Sequence, residues 1–171
     1  MRVLRIRHLL LSLLLGAMVV LPSCRKEEEI IPSNKVRVGV PGRPGKIKGF
    51  FLLNEGNMGF NKATLDYYDY TTAFYTRNIY AERNPNVVKE LGDVGNDLQI
   101  YGERLYAVIN VSHLIEVMDV RTAKHIGKIP IPNCRYITFK DGFAYVSSYA
   151  GPVEIDPNAR LGYVAKIDTA T

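Results

Sequence analysis

A short pattern, D-x-x-T, recurs at an almost constant interval along the C-terminal two thirds of the chain. It begins at Asp69 in YYDYTT, at Asp119 in VMDVRT and at Asp168 in KIDTAT, so the intervals are 50 and 49 residues. An aspartate at a strand end can accept hydrogen bonds from backbone amides two or three residues on and so close a turn. The sequence therefore predicts three units of similar structure, each with a strand that runs into an Asp-closed turn.

Short runs rich in Tyr, Val and Ile surround each pattern, and turn residues separate them. No window longer than about ten residues shows helical periodicity with a capping box, so we expect no substantial helix. Four antiparallel strands per unit of 40 to 50 residues is the signature of a β-propeller blade. In the second unit the predicted strands, from the centre outward, are a (98–101), b (105–110), c (114–120) and d (125–131).

A second pair of similar segments supports the same division of the chain into units. LQIYGERLYAVIN aligns with ITFKDGFAYVSS 39 residues later, which places a tight turn at 102–103 over one at 141–142. Propellers contain four to eight blades. We therefore expect an all-β fold in which residues 49–171 form about two and a half four-stranded blades of a β-propeller, either as the N-terminal portion of a longer propeller or as a truncated gene product. We take seven blades as the size of the complete ring. An oligomer of fragments that closes the ring is poorly motivated.

The N-terminus has the features of a signal peptide. MRVLRIRH carries three arginines and no acid, and an apolar run of 13 residues follows from Leu9 to Leu21. This run has the length of a signal-peptide core and is shorter than the roughly 20 residues that span a bilayer. We predict that residues 1–23 are removed.

The apolar run ends in LPSC, which resembles a bacterial lipobox and implies cleavage before Cys24 and lipidation of its thiol. Two or three acyl chains anchor a protein stably where a single chain does not. The next residues resemble the surface-export signal of Bacteroidetes lipoproteins. We therefore expect an outer-membrane protein that is anchored in the lipid through Cys24 and faces outside. The residues that match the export signal are Lys26, Glu27, Glu28 and Glu29.

Residues 24–48 read as a linker, because Pro and Gly interrupt every regular pattern except VRVGV, which predicts one short strand. Loss of residues 1–23 removes three of the 22 basic residues and none of the 17 acidic ones, and leaves a formal charge of +2. Nucleic-acid binding therefore loses its main support, and no nucleic-acid partner is expected. With Cys24 lipidated, Cys134 has no disulfide partner and is expected to be a small buried hydrophobe.

The segment GFFLLNEGNMGFNKATLDYYDYTT, together with LQIYGERLYAVINVSHLIEVMDVRT, resembles the YncE-like propeller lipoproteins of Bacteroidetes. One branch of that group, the BtuG type, captures cobalamin at the cell surface and passes it to a TonB-dependent transporter. The resemblance implies a surface protein that binds cobalamin for a TonB-dependent transporter. A shared fold does not fix a shared ligand.

In a propeller the b–c loops and the d–a connections emerge at one end of the blades, around the central channel, and the D-x-x-T turns lie at the other end. Amide and aromatic groups at the loop end suit a large, amide-fringed, partly apolar ligand such as a corrinoid, and they also suit a glycan. Each such residue can equally well be satisfying its own backbone. The ligand-binding candidates are Asn57, Phe60, Asn61, Asn110, His113, Arg135 and Tyr149, with Asn96 beside them.

Catalysis finds little support in the sequence. Only His113 and His125 remain after signal removal, and no Cys or His cluster has metal-ligand spacing, so we expect no catalytic residues, no metal and no cofactor. Asp93 and Asp97 in DVGND could suggest a calcium loop, but the twelve-residue EF-hand pattern is absent and a turn is favoured. Two hypotheses remain: nutrient capture without chemistry, and a structural or adhesive surface propeller that binds a glycan or a protein.

Overall fold

The computed structural model describes residues 31–87, 90–149 and 162–170. The predicted signal peptide, Cys24 and the export signal 26–29 lie outside the described residues, as do 150–161 and residue 171. The described part contains no helix that is long and apolar enough to span a membrane.

Eleven strands and one short helix make up the described chain. The elements in chain order are β1 (Asn34–Arg37), β2 (Gly49–Asn54), β3 (Thr64–Asp69), β4 (Phe74–Arg77), α1 (Ile79–Arg83), β5 (Gly95–Tyr101), β6 (Arg104–Ile109), β7 (Leu114–Asp119), β8 (His125–Pro130), β9 (Cys134–Lys140), β10 (Phe143–Ser148) and β11 (Tyr163–Asp168).

The strands form three antiparallel sheets, in the orders β1-β4-β3-β2, β5-β6-β7-β8 and β11-β10-β9. We call them blades 1, 2 and 3. Blade 2 is a complete a-b-c-d meander, and its observed strand bounds agree with the predicted ones to within one residue, except that β5 begins three residues earlier. The all-β prediction and the partial propeller are thus confirmed.

The D-x-x-T turns form as predicted. Oδ1 of Asp119 accepts hydrogen bonds from the amides of Arg121 and Thr122 at 3.0 and 2.8 Å. Asp69 repeats this with the amides two and three residues on, and Asp168 with the amide two residues on. Because these turns follow β3, β7 and β11, those strands are the c strands of their blades.

Blade 1 therefore consists of strands b (β2), c (β3) and d (β4), with β1 added outside d. Residues 34–37 pair with β4 in antiparallel register, from Asn34 opposite Arg77 to Arg37 opposite Phe74. The chain then crosses the end of blade 1 that carries the Asp69 turn, where the amide of Gly42 donates to the carbonyl of Tyr70. The short strand predicted in the linker exists, about two residues earlier than VRVGV.

The Tyr- and Ile-containing run AFYTRNIY, residues 73–80, reads in the sequence as one strand. In the structure the strand β4 ends at Arg77 and helix α1 begins at Ile79. Asn78 adopts a left-handed conformation with φ 46°, which ends β4, and its side chain accepts a hydrogen bond from the amide of Ala81. The next two residues, Ile79 and Tyr80, are buried. The strand prediction for 78–80 is wrong because burial of these two side chains outweighs their local β propensity.

The core consists of two apolar layers, one on each face of blade 2. Leu105, Ala107 and Ile109 of β6 pack against blade 1, and the alternate residues Tyr106 and Val108 pack against blade 3. All five are at most 2 % exposed. Full burial of a large apolar side chain stabilises a fold by about 1.5–3 kcal/mol, so the two layers hold the three blades together as one unit.

Candidate binding face at the loop ends of the blades

Backbone contacts bring the b–c loops and the d–a connections together at one end of the blades. The amide of Gly95, at the start of β5, donates to the carbonyl of Glu55 just after β2, and the amide of Asn110 donates to the carbonyl of Val94. The amide of Ile131 donates to the carbonyl of His113. We call this end, formed by residues 55–63, 90–95, 110–113, 131–135 and 149, the loop face. The opposite end, which carries the D-x-x-T turns, is the turn face.

Asp93 joins three segments of the loop face. Its Oδ2 accepts a 2.7 Å hydrogen bond from the amide of Gly59, its own amide donates to Oγ of Ser112 at 2.8 Å, and its carbonyl accepts from the amide of Val111. The residue is 8 % exposed. Oδ1 of Asp93 and Oδ1 of Asn96 are buried without a hydrogen-bond partner among the described residues.

The loop 55–61 curls back on itself above blade 1. Gly56, Gly59 and Asn61 have positive φ angles of 75°, 81° and 55°. The carbonyl of Asn57 accepts a hydrogen bond from the amide of Phe60. These bends leave Phe60 60 % exposed at the tip of the loop, two residues from an exposed Met58.

A second group of candidates meets at the junction of blades 2 and 3. The guanidinium of Arg135 lies 5.6 Å from the centre of the Tyr149 ring, within cation–π range. The hydroxyl of Tyr149 donates to Oδ1 of Asn110 at 3.4 Å, and Nδ2 of Asn110 donates to the carbonyl of Cys134. Asn110 is 1 % exposed. The side-chain amide of Asn110 therefore holds blade 3 to blade 2, and it also fixes the position of the Tyr149 hydroxyl.

His113 stands beside this second group with its ring exposed. Its backbone has φ 58°, and Nδ1 accepts a 3.0 Å hydrogen bond from the amide of Asn133. A neutral imidazole that accepts at Nδ1 carries its proton on Nε2. The Nε2–H of His113 is then a donor available to a ligand.

The residues Lys48 to Ala170 match the model of a protein family described as a domain of unknown function, DUF5074. The chain belongs to the DUF5074 family. No curated protein matches the chain.

The DUF5074 match spans β2 to β11 and thus the whole loop face, while β1 and the preceding residues fall outside it. Within residues 31–87, 90–149 and 162–170 of this DUF5074 protein, no group of three or more His, Cys, Asp or Glu side chains could hold a metal ion. The carboxylates of Asp93 and Asp97 instead accept backbone hydrogen bonds, that of Asp93 from the amide of Gly59 and that of Asp97 from the amides of Leu98 and Ile137.

The structure thus arranges the candidates in this DUF5074 domain as two groups on one face. Asn57, Phe60 and Asn61 belong to the blade 1 loop, and the other four belong to the junction of blades 2 and 3. The sequence indicates only a turn at DVGND, so it did not reveal that Asp93 and Ser112 hold neighbouring loops of the loop face together. The signal that points to it is the position of Asp93 in a tight turn two residues before β5, where it can reach both neighbouring loops.

The thiol of Cys134 lies beneath the second group and takes no part in it, although the backbone carbonyl of this residue accepts the hydrogen bond from Asn110. It is 0 % exposed, and its Sγ contacts the carbonyls of Leu114 and Ile109 at 3.4 and 3.6 Å. Burial raises the pKa of the thiol to about 11. The expectation of a small buried hydrophobe is confirmed.

Proposed function

We propose that the protein is a lipoprotein, anchored at the outer membrane through Cys24, whose loop face binds a nutrient and delivers it to a TonB-dependent transporter. Cobalamin is the proposed ligand, in keeping with the resemblance to the YncE-like propellers of the BtuG type. The protein acts by binding alone and performs no chemistry.

The observation that carries this proposal is the place where the chain enters the fold. The amide of Ile31 donates to Oε1 of Glu90 at 3.1 Å, and the carbonyl of Ile31 accepts from Nδ2 of Asn78 at 2.8 Å. Glu90 belongs to the connection that leads to β5 at the loop face, and β1 runs from there toward the turn face. The predicted tether, residues 24–30, is therefore expected to join the propeller on the side of its loop face.

The tether is also short. Six residues, 25–30, lie between Cys24 and Ile31, so seven extended residue steps join the two and span at most about 25 Å. Strands of six residues make each blade about 20 Å tall, so the turn face reaches the lipid only if the tether runs back along a blade at nearly its full length. Every shorter conformation of the tether keeps the loop face nearer to the lipid than the turn face. A lipidated Cys24 then favours an orientation in which the candidate binding face is turned toward the membrane and its transporters.

The chemistry of the two groups on the loop face suits a corrinoid. Arg135 and the Nε2–H of His113 are donors that can pair with side-chain amide carbonyls, and the rings of Tyr149 and Phe60 provide apolar surface. A few polar groups set in an apolar surface are typical of small-molecule sites.

One observation favours a second candidate function, adhesion to a glycan. Phe60 and Met58 are 60 % and 70 % exposed on a loop that Asp93 holds in place. An exposed aromatic ring on a fixed loop can stack on a sugar ring, and it does not require a deep pocket.

Equilibrium binding tests the ligand. The native lipoprotein, solubilised in detergent, is titrated with cyanocobalamin, and so are its Arg135→Ala and Lys140→Ala variants. These two residues lie at opposite ends of β9, so Lys140 is the matched control on the turn face. We expect binding that Arg135→Ala weakens at least about tenfold and that Lys140→Ala leaves unchanged. Absence of binding, or equal loss in both variants, overturns the cobalamin proposal. Binding to a glycan array that depends on Arg135 or Phe60 would then establish the adhesive function.

Labelling of intact cells tests the orientation independently of the ligand. A membrane-impermeant polymer maleimide is added to cells that carry Met58→Cys on the loop face or Lys140→Cys on the turn face. We expect fast labelling of the cysteine at 140 and slow labelling of the cysteine at 58. Equal or reversed rates would contradict the membrane-facing loop face.

A further inference from the structure

A cleft between blades 1 and 2 opens at the turn face, at the opposite end of the blades from the loop face. We call it the turn-face cleft. Its volume is about 340 Å³, at the small end of the range for small-molecule sites. Its walls come from blade 1 with β1, from α1, and from the turn between β7 and β8 of blade 2. All of these segments are among the described residues, so they set the shape of the cleft.

The register of blade 1 aligns one wall of the cleft. Phe51 pairs with Tyr67, and Tyr67 pairs with Thr76. Lys35 of β1 in turn pairs with Thr76. Directly paired residues of antiparallel strands point to the same face of the sheet, so the four side chains form one row across blade 1. Because Phe51 and Tyr67 pack against the core layer between blades 1 and 2, this row faces blade 2.

Positive charge dominates the turn-face cleft. Among the described residues that line it, four side chains are cationic and only that of Asp69 is acidic. Oδ1 of Asp69 is engaged by the amides of Thr71 and Thr72. A cleft lined by one sign of charge concentrates its electrostatic field and attracts the opposite charge. The cationic side chains are those of Lys35, Lys48, Arg83 and Arg121.

Three of these cations have weak charged partners or none. Lys48 forms no ion pair with a described residue. Arg83 pairs with Glu82, and their side chains are 50 % and 42 % exposed. Arg121 pairs with Glu103, and both side chains are 73 % exposed. Because exposed ion pairs are weak, a doubly charged anion in the cleft can displace the two glutamates.

The remaining lining suits a phosphate group and a ring attached to it. Guanidinium and ammonium groups form charge-assisted hydrogen bonds to phosphate oxygens, and an arginine can form two at once. The hydroxyls of Thr71 and Thr72 add neutral hydrogen-bonding groups, and Phe51 and Tyr67 add aromatic surface on which a sugar ring can lie.

We propose that the turn-face cleft binds a small phosphate-bearing ligand, either free phosphate or phosphate esterified to a sugar. Lys48 and Arg121 hold the phosphate oxygens from the two sides of the cleft. The proposal does not depend on the ligand of the loop face or on the lipid anchor.

Phosphorus NMR on the native lipoprotein tests this site. The protein is solubilised in a detergent that contains no phosphorus and is titrated with inorganic phosphate and, separately, with glucose 1-phosphate. We expect line broadening that gives a dissociation constant below about 10 mM for at least one of the two probes. Lys48→Gln and Arg121→Gln should each raise this constant at least about tenfold.

Lys124→Gln is the matched control. It removes the same charge three residues after Arg121, and Lys124 does not line the cleft. We expect its dissociation constant to stay within about twofold of that of the parent protein, since a charge outside the cleft is screened by salt. The side chains at 48 and 121 are exposed, so both test variants should fold, and unchanged urea midpoints check this.

Equal affinity for the two probes supports a site for the phosphate group itself, and tighter binding of glucose 1-phosphate supports a site for a phosphorylated sugar. Absence of broadening by both probes at 10 mM overturns the proposal. So does affinity that survives either Lys48→Gln or Arg121→Gln, or that falls equally in Lys124→Gln, because the binding would then be a general property of a basic surface.

Discussion

The hydroxyl of Tyr80 donates a 2.8 Å hydrogen bond to Oε1 of Glu116, a carboxylate with no solvent exposure. Tyr80 belongs to α1, which follows blade 1, and Glu116 lies in the middle of β7 in blade 2. His125 Nδ1 contacts the same carboxylate oxygen, and Nζ of Lys128 lies 3.9 Å from the other oxygen. Burial and the neighbouring carboxylate raise the pKa of Tyr80 well above its ordinary value, so the hydroxyl keeps its proton. The Tyr80–Glu116 hydrogen bond therefore attaches α1, which connects blade 1 to blade 2, to the core of blade 2.

Replacement of Tyr80 by Phe removes one donor from this buried carboxylate. A buried charged group that loses a hydrogen bond costs about 1–3 kcal/mol, so we expect the free energy of unfolding of Tyr80→Phe to fall by that amount. Urea denaturation measures it. Tyr136→Phe is the control, since Tyr136 is 58 % exposed and its change should stay within about 0.5 kcal/mol. Equal stability of Tyr80→Phe and the parent protein would show that the hydrogen bond contributes nothing.

The Asp119 turn makes stability depend on pH. The hydrogen bond from the Thr122 hydroxyl is the largest of several effects that hold the pKa of Asp119 below its ordinary value of 3.8. A group with a lowered pKa stabilises the folded state above its unfolded pKa, and this contribution is lost as the pH falls through the folded pKa. We therefore expect stability to decline below about pH 4, and less so in Asp119→Asn, which keeps an acceptor but does not ionise.

Thr122→Val separates the causes, because it removes the hydroxyl and keeps the backbone amides of the turn. We expect the NMR titration midpoint of Asp119 to move up toward the ordinary value in this variant. An unchanged midpoint would assign the lowered pKa to the backbone amides and to Arg121 instead.

Cys134 should be inert in the folded protein. Its thiol has no exposed surface and a pKa raised to about 11, and the thiolate is the reactive form. At pH 8 we expect Ellman's reagent to react with Cys134 at least about 100-fold more slowly than with a cysteine placed at Thr138, an exposed position on the same strand. Full reactivity should return in denaturant.

The reaction with Ellman's reagent also tests whether Cys24 is lipidated. If the native protein is lipidated there, no thiol reacts quickly in the folded state. A fast phase of one thiol per chain that peptide mapping assigns to Cys24 would contradict lipidation, and a fast phase assigned to Cys134 would contradict its burial.

The sequence predicts the parts of this fold that depend on local contacts. The Asp69 and Asp119 turns are predictable because the acceptor and the donors lie within three residues of each other. Strand alternation in β6 is predictable because its two faces meet two apolar layers. Helix α1 is not, because its five residues are held by Tyr80 and Asn84 contacts to β7 and to the turn before β8, and no local pattern reports such contacts.

The same distinction applies to the loop face. Loop membership follows from strand order, so the sequence places all seven candidates near one end of the blades. Which side chains are available for a ligand depends on tertiary partners that lie far away in the chain. Asn110 illustrates this, since its amide is engaged by Cys134 and Tyr149, 24 and 39 residues later.

Gly95 sets how closely blades 1 and 2 approach at the loop face. A Cβ atom at Gly95 would lie 2.8 Å from Cγ of Leu53 in β2, well inside van der Waals contact. Overpacking of this kind typically costs 1–3 kcal/mol, so we expect Gly95→Ala to lower the free energy of unfolding by about that much. Gly127→Ala is the control, because a Cβ there meets nothing within 4 Å. Leu53→Ala should relieve the clash, so the double variant should be more stable than the sum of the two single changes predicts. A double-mutant cycle in urea measures this coupling, and strict additivity would mean that the two blades separate freely at this point.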